Sequence, residues 1–111
     1  MEQIDVILKE MITQMKEWKD ILCRMNMKPK LYVLFHSSYM HLVSATDYKY
    51  HNKNNERGFE MFYLNQTLKD VDITGCMKIV KRRIPDQEKK IERMLYLFNR
   101  LKPIWSYKIV M

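Results

Sequence analysis

Between Ile4 and Met25 large apolar side chains recur at alternating spacings of four and three residues: Ile4, Leu8, Met11, Met15, Trp18, Leu22 and Met25. An α-helix keeps such a series on one side for three heptads, whereas a strand would split it between two faces. Ile7, Ile12 and Ile21 widen the seam into a stripe, and Glu2, Asp5, Lys9, Glu10, Lys16, Glu17, Lys19 and Asp20 fill the opposite side. Asn26 and Pro29 are expected to stop this helix. Packing against the rest of the chain is the plainest destination for the stripe. Left exposed, Leu8, Met11, Met15 and Trp18 would instead receive another protein or a second copy of this chain, a use that adaptable methionine suits.

From Lys30 the pattern changes. Leu31–Phe35 is an unbroken run of β-forming residues between Pro29 and Ser37-Ser38, which predicts a buried strand. Tyr39–Tyr48, Phe59–Leu64 and Ile73–Lys81 predict three more strands, with a polar loop from Tyr50 to Gly58 and a bulge or close backbone approach at Gly75. Pro85, Asp86 and Glu88 open a second helix whose stripe is Ile91, Met94, Leu95, Phe98 and Leu101, and Pro103 is expected to end it. The tail, Ile104–Met111, alternates as a short edge strand would. The predicted fold is therefore α+β: a helix, an antiparallel meander of three to four strands, a helix and a last strand, in two layers. That order is similar to the small basic proteins of the signal recognition particle Alu domain, a likeness of topology that shares no motif.

Length and composition are consistent with one domain over residues 1–111: a chain this long buries roughly 65% of its unfolded surface, and 47% hydrophobic residues suffice for a core. Cys23 and Cys76 have no CxxC spacing, so neither a disulfide framework nor a structural metal is expected. The chain opens with acids where a secretory leader needs positive charge, and its longest apolar runs are far short of a membrane span. A soluble cytoplasmic protein is the expectation.

Charge is unevenly placed. Residues 1–77 hold ten basic and ten acidic side chains, while residues 78–111 hold ten basic against three acidic, so the whole net charge of +7 falls in the last third. A skewed codon supply, suggested by ten methionines and one alanine, acts on the entire chain and does not explain that asymmetry. Lys78, Lys81, Arg82 and Arg83 end the last major strand of the predicted fold, and Lys89, Lys90, Arg93 and Arg100 lie on the helix after it. Together they would present a phosphate-binding surface, with Tyr96, Trp105 and Tyr107 as stacking partners. The plain alternative is a solvated face.

Catalytic chemistry finds little support. Neither Gly58 nor Gly75 builds a phosphate loop, and no serine or cysteine sits in a nucleophile motif. His36, His41 and His51 lack metal-ligand spacing, and Asp70 with Asp72 reads as turn chemistry before it reads as an acid–base pair. No cofactor is implied. The expected function is non-enzymatic: docking on structured RNA within a ribonucleoprotein such as a ribosome. The alternative is a protein–protein module, an inhibitor or assembly factor, using the first helix or an edge strand.

Overall fold

A computed structural model describes residues 2–51 and 59–105, and it overturns the α+β expectation: every element among the described residues is helical. These elements are α1 (Glu2–Cys23), α2 (Pro29–Ala45), a 3-10 turn (Thr46–His51), α3 (Phe59–Leu68), α4 (Ile73–Arg83) and α5 (Glu88–Trp105). The segments read as strands at 31–35 and 39–48 belong to α2 and the 3-10 turn. Those at 59–64 and 73–81 are α3 and α4. There is no meander and no two-layer sandwich among the described residues, and the likeness to the Alu-domain proteins falls with them. Of the predicted last strand, Ile104 and Trp105 are the end of α5; residues 106–111 lie outside the described residues, as does 52–58 of the predicted loop.

The reason is visible in α2. Leu31, Phe35, Ser38, Leu42 and Ala45 repeat the four–three rhythm of α1, and the last four are buried. Ser38 hides the rhythm in the sequence, because a serine pair normally marks a turn. Here its hydroxyl is enclosed and accepts a hydrogen bond from the Asp72 backbone N–H at 3.0 Å, so the polar atom is satisfied inside the core. A five-residue apolar run cannot by itself tell a strand from a buried helix, and tertiary packing overrides β-propensity. Pro29 does not merely stop α1, which ends at Cys23; it sits at the start of α2, where its missing N–H costs nothing.

Side-chain contacts fix the topology. Tyr48, after the end of α2, donates to Asp5 near the start of α1 at 3.0 Å, so α2 runs antiparallel to α1. Tyr63 donates to the Ser44 carbonyl at 2.8 Å and Asp72 reaches Ser38, so α3 and α4 run back along α2. Lys90 meets Glu17 and Arg93 meets Glu10, so α5 descends along α1. The result is an up-and-down bundle of four columns. Its third column is broken into α3 and α4, of 10 and 11 residues, which together match the 22 of α1. The break is chemical: Asp72 accepts from the Gly75 N–H at 2.9 Å and caps α4. A Cβ on Gly75 would run into that carboxylate, so the close approach expected there is between glycine and cap.

α1 packs on α2 and α5, and α4 packs on the same two columns. Leu8, Met11, Met15, Trp18 and Leu22 are fully buried, so the seam of α1 is core and offers no docking face in the folded chain. Trp18 is the largest enclosed side chain among the described residues. Its indole N–H donates to Gln87 Oε1 at 2.9 Å, while Gln87 Nε2 donates to the Pro85 carbonyl at 3.1 Å. Asp86 takes φ 60°, a left-handed conformation that aspartate tolerates better than most side chains. It lets the chain turn before α5 begins at Glu88, three residues after the expected Pro85. At the other end α5 runs two residues past Pro103, where only the last turn loses a hydrogen bond. No described helix is long and apolar enough to cross a membrane.

Replacing Gln87 by methionine keeps the volume but strands a buried indole N–H. The expected cost is about 1–3 kcal/mol in urea unfolding followed by circular dichroism at 222 nm. An unchanged midpoint would show that Trp18 does not need this acceptor.

Candidate nucleic-acid interface

The eight cations expected to form the site divide between two columns. Lys78, Lys81 and Arg82 share the outward face of α4 at helical spacings, and Arg83 follows at its end; all four are exposed. On α5, Lys89, Lys90, Arg93 and Arg100 lie on the flank that meets α1. They are not equally free. Lys90 is bound to Glu17 at 3.0 Å, and Arg93 grips Glu10 with Nε at 2.7 Å and Nη2 at 2.9 Å. Arg93 and Arg100 also stand 5.4 and 5.9 Å from the Tyr96 ring centroid, so that ring already has two guanidinium groups within cation–π reach. Arg93 and Lys90 therefore hold α5 to α1, along a groove of about 680 Å³ whose floor includes Val6, Met94 and Leu97. Lys78, Lys81, Arg82, Arg83 and Lys89 have no acidic partner among the described residues.

The fold adds cations that sequence reasoning missed. The up-and-down topology places the end of α1, the start of α2, the end of α4 and the start of α5 at one end of the bundle. Gln87 on Trp18 brings the α4–α5 turn against the last turns of α1. The register of Asp72 on Ser38, continued along two antiparallel helices, brings Arg83 to the start of α2. Arg24, Lys28 and Lys30 wait there, exposed. Residues 24–30 and 81–89 together hold seven cations (Arg24, Lys28, Lys30, Lys81, Arg82, Arg83, Lys89) against Asp86 and Glu88, a net of +5 out of the chain's +7. α2 also opens with no capping side chain and no acid in its first turn, so the positive end of its dipole adds to the field. The signal was present as a run of three basic residues without an acid in 24–30. It was hidden because residues 1–77 taken as a whole hold as many acids as bases.

The remaining polar groups have structural partners. His41 Nδ1 lies 2.7 Å from the Ser37 carbonyl, which can only accept, and Nε2 lies 3.7 Å from Asp70. Asp72 caps α4 through its carboxylate, and Asp70 stands 3.7 Å from His41, so each of the two aspartates has a partner of its own. Cys76 is buried and its thiol is pushed up to about 12 by burial, so it is no nucleophile at neutral pH. No cluster of three metal-ligating side chains occurs among the described residues. Comparison of the chain with protein families, with curated proteins and with solved structures finds no match.

The ion pairs make the bundle acid-sensitive. The Arg93 guanidinium holds Glu10 below the ordinary carboxylate range, and the hydrogen bond from Lys49 does the same for Asp5. A carboxylate depressed on folding stabilises the fold above its unfolded pKa and loses that contribution as pH falls through its folded pKa. Stability is therefore expected to hold from neutral pH down to about 5 and to decline below about 4. Glu10→Gln should flatten part of that decline in urea midpoints measured against pH; an identical acid slope would remove Glu10 from the account.

Proposed function

We propose that this protein is a non-enzymatic RNA-binding factor, of the kind that docks within ribonucleoprotein assemblies such as the ribosome, and that it binds through the basic end of its helix bundle. The observation that carries the reading is the net charge of +5 gathered by two neighbouring turns, with its cations exposed and, for those on α4 and α5, without acidic partners. Counterions released from phosphates by Arg24, Lys28, Lys30, Lys78, Lys81, Arg82, Arg83 and Lys89 would supply the affinity. The proposed surface leaves out Lys90, Arg93 and Arg100, because the first two are paired with acids of α1 and the last lies against Tyr96. Lys81, Arg82 and Arg83 also complement the negative end of the α4 dipole. That local benefit accounts for three of the charges and not for Arg24, Lys28, Lys30 or Lys89. A cytoplasmic setting fits the reading, since Cys23 and Cys76 are both free thiols.

Binding to a hairpin RNA is expected to weaken about a hundredfold or more between about 50 and 200 mM salt. Changing Arg82, Arg83 and Lys89 together to glutamine should lower affinity and reduce the log–log salt slope by about three. Affinity that ignores salt, or a triple variant that binds like the parent, would refute the assignment.

A further inference from the structure

One surface continues the basic end without interruption. Over Pro29–Ala45 α2 carries no acid at all, and Lys28 and Lys30 stand at its start. Along one flank Tyr32, His36 and Tyr39 follow at spacings of four and three, which makes them a single row. The Tyr32 and His36 rings are 6.0 Å apart between centroids and inclined by only 14°; His36 and Tyr39 are 6.4 Å apart and inclined by 37°. His36 is exposed and both tyrosines are half-buried. The Lys19 ammonium stands 5.4 Å from the Tyr39 ring centroid. The acid facing this row from α1 is Asp20, and it is neutralised by Lys16 at 3.0 Å and Lys19 at 3.8 Å. A row of rings beside unopposed cations, whose facing acid on α1 is already paired, is what stacked bases and their phosphates require.

We infer that the interface runs from Lys28 and Lys30 onto Tyr32, His36 and Tyr39, and that its ligand class is RNA with unpaired bases at the point of contact. This rests on the RNA-binding reading above and sharpens it. Phosphates lie on the two basic turns, and a splayed base stacks on the exposed ring of His36. A base inside a duplex has both faces covered by its neighbours, so only an unpaired nucleotide can use the row. The cations alone would not discriminate between the two forms.

The test uses the full chain with two labelled probes, an oligouridylate and an RNA duplex, each of about 20 nucleotides per strand. His36→Ala should weaken the oligouridylate about tenfold and leave the duplex unchanged, because His36 is exposed and its loss removes a stacking face without touching the core. His36→Trp should tighten the oligouridylate alone. Lys28→Gln with Lys30→Gln should weaken both probes by a similar factor. Equal effects of the His36 changes on both probes, or none on either, would overturn the inference even while the Arg82, Arg83 and Lys89 triple variant still lost affinity. Should that triple variant bind both probes normally, the RNA-binding reading itself fails.

Discussion

The enclosure of Trp18 is the constraint on which the rest of the molecule depends. Among the described residues its ring is the largest side chain in the core, and its one polar atom finds an acceptor in Gln87, 69 residues further along the chain. That bond fixes where the α4–α5 turn meets α1. Everything above it follows from the same register: Glu17 opposite Lys90, and Glu10 opposite Arg93. At the far end of α1 the Tyr48 hydroxyl and Lys49 bind Asp5 and tie the 3-10 turn down. The helices are thus held by an apolar seam of fixed period, with a polar bond near each end to set the sliding position. A bundle closed by apolar contacts alone would tolerate a shift of one turn; these bonds would not survive it.

The register also decides which charges remain for other work. Acids of α1 absorb two cations of α5, and Asp20 is absorbed by lysines of its own helix. Among the described residues no acid pairs with the cations on the outer side of α4. The positive potential consequently concentrates at the end where α1 hands over to α2 and α4 hands over to α5. A chain of modest net charge acquires a mainly positive end, because acids of α1 take up two cations of α5, and such an end raises the local concentration and association rate of a polyanion.

The two long outer helices were legible because their periodicity persists for several turns. α1 announces itself through Ile4–Met25, and α5 through Ile91–Leu101, although both termini shift by a few residues as frayed ends do. The middle was not legible. Leu31–Phe35 and Phe59–Leu64 are too short for a period to emerge, and they are rich in residues that strands also favour. The deciding residue, Ser38, has a buried role that exists only once Asp72 is folded against it. The site was half legible. Lys78–Lys89 stands out as a charge run, and six of the eight expected cations have no acidic partner among the described residues. The loss of Lys90 and Arg93 to Glu17 and Glu10 is a long-range event, over 73 and 83 residues, that no local pattern reveals. Arg24, Lys28 and Lys30 were passed over for the converse reason, since distance along the chain says nothing about which turns share an end of a bundle.

The central claim is spatial: one end of the bundle is the contact surface. Amide chemical-shift mapping of the labelled chain during titration with a hairpin RNA addresses it most directly. The account predicts perturbations clustered in residues 24–36 and 78–89, with the opposite end around Asp5, Thr46 and Lys49 unmoved. Shifts centred on that opposite end, or spread evenly over all the helices, would contradict it.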